Sequence, residues 1–229
     1  MSTLLFIHGS GCTGDAFKNQ TDYFAGSEAP NLPGHTSPGA PASVSEFADF
    51  IQRSIAGRQD NDVILCGNSL GGAIALEVAL RNPPQVRAII LLGSGARLRV
   101  APAILAGLAG HFERTVEELA GYMFAQPTPE LIAYATTSMQ AVGKEQTLRD
   151  FAACDAFDVT HRLPELLVPL LALTGERDVM TPPKYAQFLA DRVPRGEMRI
   201  VPGAGHLVMI ERPAETNDAI ANFVQEMSS

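Results

Sequence analysis

The segment Gly67-Asn68-Ser69-Leu70-Gly71-Gly72 constrains this chain more than any other. Before it runs the apolar stretch Asp62-Val63-Ile64-Leu65-Cys66, and after it Ala73-Ile74-Ala75-Leu76-Glu77-Val78-Ala79-Leu80. An apolar run of strand length, a glycine-rich turn and a run of good helix formers predict strand, tight turn and helix over 62–81. A G-x-S-x-G pattern recurs by chance; at a strand-to-helix turn it becomes specific. A serine at such a turn sits in strained backbone with its hydroxyl above the sheet edge. Glycines on both sides let strand and helix approach without side-chain clash. The helix then aims its N-terminal amides where negative charge would develop.

Other apolar runs extend the pattern. Thr3 to Ile7 ends at His8-Gly9, Val86 to Leu92 ends at Gly93, and Pro169 to Thr174 and Met198 to Val201 follow; Ser27 to Pro30 is a weaker strand candidate. Helical spacing marks Asp15–Phe24, Ser43–Ile55 with Ser43 as N-cap, Pro182–Val193 and a last helix from Leu207 to Met227. Buried strands alternating with helices predict an α/β fold, a mostly parallel sheet of about six strands with helices on both faces. From Ala96 to Leu163 the strand signal stops. Thr115 to Glu118 has capping-box character, Pro127 and Pro129 break the run, and about three or four helices are expected there. The expected division is a core of residues 1–95 and 164–229 with an inserted helical cap over 96–163.

Composition excludes several roles. The chain has 229 residues and a net charge of −8, with Lys and Arg scattered, so no nucleic-acid partner is expected. No stretch approaches membrane-spanning length, and the N-terminal apolar run is too short for a signal-peptide core. Cys12, Cys66 and Cys154 are odd in number and far apart, which fits reduced thiols and a cytoplasmic protein, and their spacing is no metal motif. No cofactor or metal is expected.

Serine is a poor nucleophile without a base to take its proton, a partner that fixes the base's tautomer, and amides for the oxyanion. In open α/β sheets these belong past the strands' C-terminal ends. His206 follows the last strand through Pro202-Gly203-Ala204-Gly205 and is the candidate base. His8 also follows a strand, but its glycine neighbours point to an orienting role, with the ring bonded to backbone. His35 lies in a turn that could approach the site and reads at least as readily as a surface residue; His111 and His161 are expected to face solvent. Glu176 and Asp178 both follow the 169–174 strand, and Asp178, deeper in the loop, is the candidate acid. The segment after Leu92 offers no carboxylate, and Asp155 and Asp158 read as structural ion-pair partners. The Leu70 and Ser10 amides are the expected oxyanion donors, with Gly11 less favoured.

Taken together, Leu5-Phe6-Ile7-His8-Gly9-Ser10-Gly11, Gly67 to Gly72, Thr174-Gly175-Glu176-Arg177-Asp178 and Pro202 to His206 resemble the α/β-hydrolase superfamily. Leu32-Pro33-Gly34-His35 is similar to a turn of that family, and Arg149 to Asp158 looks like the cap exit of small microbial esterases. The order Ser69, Asp178, His206 is the family's order. The resemblance implies Ser69 as nucleophile, His206 as base, Asp178 as acid, and Ser10 and Leu70 as oxyanion donors. It also implies a sheet lacking the family's usual first two strands, leaving an open edge that a homodimer could cover. Asn31 stands where the family usually has aspartate, which should weaken a turn contact and leave the chemistry alone. The expected activity is hydrolysis of small to medium apolar carboxylic esters, with Leu105, Leu108, Phe112, Met123, Phe124, Tyr134 and Met139 offered as cap residues, about a third of them facing substrate. A C–C bond hydrolase, using Arg97 or Arg99 for a substrate carboxylate, is the alternative, as are thioesterase and lactonase activities on the same triad. A ligand-binding module is disfavoured because all three triad members are present.

Overall fold

The computed structural model describes residues 3–36, 38–58 and 63–227. Asp62, the predicted start of the second strand, lies outside the described residues. Strands β1 (Thr3–Ile7), β2 (Val63–Asn68), β3 (Val86–Leu92), β4 (Leu170–Gly175) and β5 (Gly196–Val201) form one sheet in that spatial order, each neighbouring pair parallel. A 3-10 turn (Gly14–Phe17) leads into α1 (Lys18–Tyr23). There follow α2 (Val44–Ala56), α3 (Leu70–Leu80), α4 (Pro102–Gly110), α5 (Phe112–Tyr122), α6 (Pro129–Val142), α7 (Lys144–Ala156), α8 (Pro183–Arg192), α9 (Val208–Glu211) and α10 (Pro213–Glu226).

The period of two along each strand sorts side chains onto two faces. Leu5, Ile7, Leu65, Ile89 and Leu91 pack with Phe47 and Ile51 of α2, Ile74 of α3 and Leu189 of α8. Leu4, Phe6, Ile64, Ile90 and Leu92 pack with Phe17, Phe223 of α10 and inserted-helix residues such as Leu119. Each such large apolar side chain contributes about 1.5–3 kcal/mol by leaving water. Helix α3 is apolar and buried at every position but Glu77, which pairs with Arg81 and Arg162, as suits a helix caught between sheet and covering helices. Ser43 caps α2 as expected: its hydroxyl accepts from the Glu46 amide at 3.2 Å, and the Glu46 carboxylate accepts from the Ala42 amide.

Among the described residues the sheet has five strands, against about six expected. The Ser27–Pro30 segment makes one bridge only, Glu28 beside Leu5, with the Phe6 amide donating to Glu28 O at 2.7 Å and the Glu28 amide to Leu4 O at 3.0 Å. Pro30 has no N–H with which to continue the ladder, so the pairing stops. That short segment nonetheless covers part of the β1 edge that the sequence reading left open. Three helix boundaries also differ from expectation. The 15–24 helix begins as a 3-10 turn. The final helix breaks at Arg212, because Pro213 cannot donate to the preceding turn. Thr115 caps nothing: α5 starts at Phe112, with only His111 between it and the end of α4, and the Thr115 hydroxyl donates back to the carbonyl of that N-cap residue, His111 O, at 2.9 Å. The N-cap found is Thr128, which accepts from the Leu131 amide at 3.3 Å and starts α6 ahead of Pro129. All four inserted helices lie between β3 and β4.

Candidate active site

Because every strand runs the same way, the loops after β1, β2, β4 and β5 meet at one sheet edge. Ser69 is the N-cap of α3 with φ 53° and ψ −115°, a conformation that costs a non-glycine residue about 1–3 kcal/mol. The neighbours impose it. The Ser69 amide donates to Leu92 O at 3.0 Å, and its carbonyl accepts from Ser94 Oγ at 2.8 Å. A Cβ on Gly67 would collide with the Gly71 carbonyl, and one on Gly71 with the Ile7 carbonyl, so both glycines of the motif are required by close backbone approach.

Asp178 and His206 meet from the loops after β4 and β5. Asp178 Oδ2 lies 2.9 Å from His206 Nδ1, with both side chains almost fully buried. Oδ1 accepts from the Met180 and Thr181 amides at 2.9 and 2.8 Å, and Oδ2 also accepts from Thr181 Oγ1 at 2.7 Å. A carboxylate at Nδ1 places the proton there and leaves Nε2 as the acceptor. Burial opposes ionisation of Asp178, but the charge and hydrogen bonding of His206 and the bonds from Thr181 outweigh it, so its carboxyl is held below the usual carboxylate range. Glu176, the other candidate acid, is exposed and accepts from the Gly203 amide at 2.9 Å, bracing the loop that leads to His206.

Ser69, His206 and Ser10 line one cavity of about 370 Å³. Leu98, Val100, Ile104, Leu119 and Phe151 give it apolar walls. Of the cap residues named from the sequence, only Met123 lines it. Leu108, Phe124 and Met139 are buried in the hydrophobic core, and Tyr134 is partly exposed, so helical spacing identified packing positions rather than a pocket wall. The Leu70 amide is at the first turn of α3, where no carbonyl four residues back exists within the helix. The Gly11 amide is committed elsewhere: it donates to Asp150 Oδ2 at 2.9 Å.

His8 is fully buried and holds the loop together, as expected: Nε2 accepts from the Leu32 amide at 3.0 Å and Nδ1 lies 3.0 Å from Gly9 O. Burial first, and His35 second, push its pKa down to about 3. His35 is not at the surface. It is buried, 2.9 Å from Asp150, with its ring against that of His8. His111 and His161 are exposed. Asp155 and Asp158 pair with Arg99 and Arg97 at 3.8 and 3.4 Å. Asn31 keeps its turn intact, accepting from the Gly14 amide at 2.7 Å and donating to Thr36 Oγ1 at 2.8 Å.

Two residues at the site escaped the sequence reading. Asn68 Nδ2 donates to Leu92 O at 3.0 Å and to His206 O at 3.3 Å, tying the turn before the serine to the histidine loop. Thr181 is the other; the available signal was Asp178 itself, whose carboxylate can accept backbone amides two and three residues on, which brings the Thr181 hydroxyl to it.

The profile of the Alpha/beta hydrolase family matches residues 4–219. The chain belongs to that family. A solved thermophilic esterase superposes with a TM-score of 0.89 at 33% identity, over 97% of this chain and 89% of the other. A pimeloyl-[acyl-carrier protein] methyl ester esterase of Neisseria meningitidis serogroup B is 28% identical over 86% of this chain and 81% of its own length. One from Yersinia enterocolitica is 24% identical over 87% and 83%. The polyketide synthase ThaQ of Burkholderia thailandensis is 28% identical over 84% of this chain, which spans only 10% of that protein's length.

Proposed function

We propose that this α/β hydrolase is a cytoplasmic carboxylic-ester hydrolase working through an acyl-enzyme. The observation that carries the reading is Ser69, strained at the head of α3, facing the cavity into which the Asp178-bonded His206 also opens. In the proposed mechanism Ser69 Oγ attacks the acyl carbon while His206 Nε2 takes its proton. Asp178 holds the imidazole in the tautomer that can accept it and stabilises the imidazolium that forms. The Ser10 and Leu70 amides receive the oxyanion, supported by the N-terminal end of α3. His206 then gives the proton to the leaving alcohol, and water repeats the sequence on the acyl group. The inserted helices act as a cap whose apolar walls favour small to medium apolar ester substrates. The esterase named among the relatives supports ester chemistry.

Hydrolysis of a C–C bond beside a ketone would use the same groups, and Arg99 at the cavity wall would take a substrate carboxylate. Asp155 already occupies that guanidinium, at 3.8 Å and through its carbonyl at 3.2 Å, which favours the ester reading. The test is turnover of p-nitrophenyl acetate and butyrate by the protein and its Ser69→Ala variant. Turnover is expected, with a loss of roughly a thousandfold or more in the variant. Activity that survives the substitution would overturn the role of Ser69, and no turnover by either protein would overturn the esterase reading.

A further inference from the structure

Gly11 follows the residue whose amide is read above as an oxyanion donor, and its peptide groups are gripped by the inserted helices. From α7, Asp150 Oδ2 accepts the Gly11 amide at 2.9 Å. From α6, Ser138 Oγ donates to the Gly11 carbonyl at 3.0 Å. Gly11 has φ 64°, and a side chain there would run into Met139, so the loop lies directly against α6. The Asp150 carboxylate is itself fixed: its side chain is wholly buried, His35 Nε2 lies 2.9 Å from Oδ2, and Gln146 Nε2 donates to Oδ1 at 2.8 Å. His35 in turn rests edge-on against His8, with ring centroids 4.6 Å apart, and His8 is bonded to the Gly9 carbonyl and the Leu32 amide. The loop carrying Ser10 is thus held by a buried polar chain on the core side and by two helices on the insert side.

We propose that Asp150 is a positioning residue: by holding the Gly11 amide, with Ser138 on the neighbouring carbonyl, it sets the direction of the Ser10 amide. In consequence the insert does more than wall the cavity. Its α6 and α7 helices brace the Gly11 side of the Ser10 amide, while the bonds of His8 Nδ1 and of the Cys12 amide to Gly9 O hold the other side from the core. This inference rests on the esterase reading, in which the Ser10 amide receives the oxyanion. The physical case is one of buried polar satisfaction. Gly11 N–H is aimed into the protein and needs an acceptor; without Asp150 the peptide must rotate or lose its bond, and the adjoining Ser10 peptide moves with it.

The experiment measures kcat and KM for p-nitrophenyl butyrate, and the inhibition constant of phenylboronic acid, whose tetrahedral serine adduct uses the same amides. Variants are Asp150→Ala, Asp150→Asn and Ser138→Ala, each checked for native circular dichroism. Losing one oxyanion donor costs roughly 10²–10³ in kcat, so a misdirected one is expected to cost roughly ten- to hundredfold in Asp150→Ala, with KM little changed. Boronate inhibition should weaken in parallel, and Asp150→Asn, which keeps an acceptor for Gly11, should recover part of both. Ser138→Ala removes one hydrogen bond and should lower kcat about three- to tenfold with KM unchanged, which keeps the test open if Asp150→Ala does not fold. Folded variants with kcat within about twofold of the parent, or with a raised KM and unaltered boronate inhibition, would overturn the role of Asp150. Surviving turnover in Ser69→Ala would instead remove the esterase reading and leave the Gly11 contacts without a catalytic meaning.

Discussion

Gly93 lies directly against the His206 ring: a Cβ built on residue 93 would stand 3.1 Å from His206 Nδ1 and 3.1 Å from Asp178 Oδ2. The position after β3 is therefore empty of side chain because the carboxylate–imidazole pair occupies the space. Its φ of 51° adds a second demand for glycine.

Gly93→Ala tests this directly. The backbone conformation costs an alanine roughly 1–2 kcal/mol, and the methyl group presses on the His206 carbonyl, its ring and the Asp178 carboxylate together, so that the pair must give slightly. A loss of at least about tenfold in kcat is expected, since small misplacements of a reacting group can cost up to ~10²-fold. Steady-state kinetics with a thermal melt separate the two contributions; unaltered kcat with a lowered melting temperature would mean the pair tolerates displacement.

Thr181 Oγ1 donates to Asp178 Oδ2 at 2.7 Å and lies 3.1 Å from His206 Nδ1. Thr181→Val keeps the shape and removes the hydroxyl. It should lower kcat about three- to tenfold with KM unchanged, the scale of one ordinary intramolecular hydrogen bond, since Asp178 keeps its bonds from the Met180 and Thr181 amides. Thr181→Ser, which keeps the hydroxyl, should retain most of the rate; an unaltered Thr181→Val variant beside a slowed Thr181→Ser variant would assign the residue a packing role only.

His8 makes stability depend on acid. Its folded pKa is about 3 against an ordinary 6.5, because burial and the nearby His35 disfavour the charged ring. Below 6.5 the unfolded chain takes a proton that the folded chain refuses until about pH 3, so stability falls as pH drops through that window. The slope attributable to this group is at most about 1.4 kcal/mol per pH unit. His8→Asn should be less stable at neutral pH yet lose less on acidification, so urea denaturation curves of the two proteins should converge between pH 6.5 and 4. Parallel pH profiles would show that His8 titrates normally.

The cysteines should be silent in the native state. Burial pushes Cys12 and Cys154 up to about 12, and Cys66 is also raised by burial. A thiol reacts as its thiolate, so 5,5′-dithiobis(2-nitrobenzoate) should release almost no chromophore at pH 8 until denaturant is added. Prompt reaction at Cys154, which lines the cavity beside Ser10, would reveal solvent access there.

Much of this was legible in the residues. Apolar runs of strand length bounded by glycine and proline located the five strands of the described residues, and the G-x-S-x-G turn singled out Ser69, because close backbone approach leaves glycine no substitute at Gly67 and Gly71. Asp178 and His206 were singled out by their places past strand ends, which a parallel sheet turns into places in space, and the two side chains do meet. Local pattern could not say whether 27–30 would propagate as a strand; that turned on how many amides it could present to β1. Nor could it distinguish His35 from a surface histidine, since its burial comes from Asp150, 115 positions away. Helical spacing in the insert marked apolar faces without telling which faced the cavity. Periodicity records which residues leave water, whereas only the packing of helices against the sheet decides which of them meet one another and which line a void.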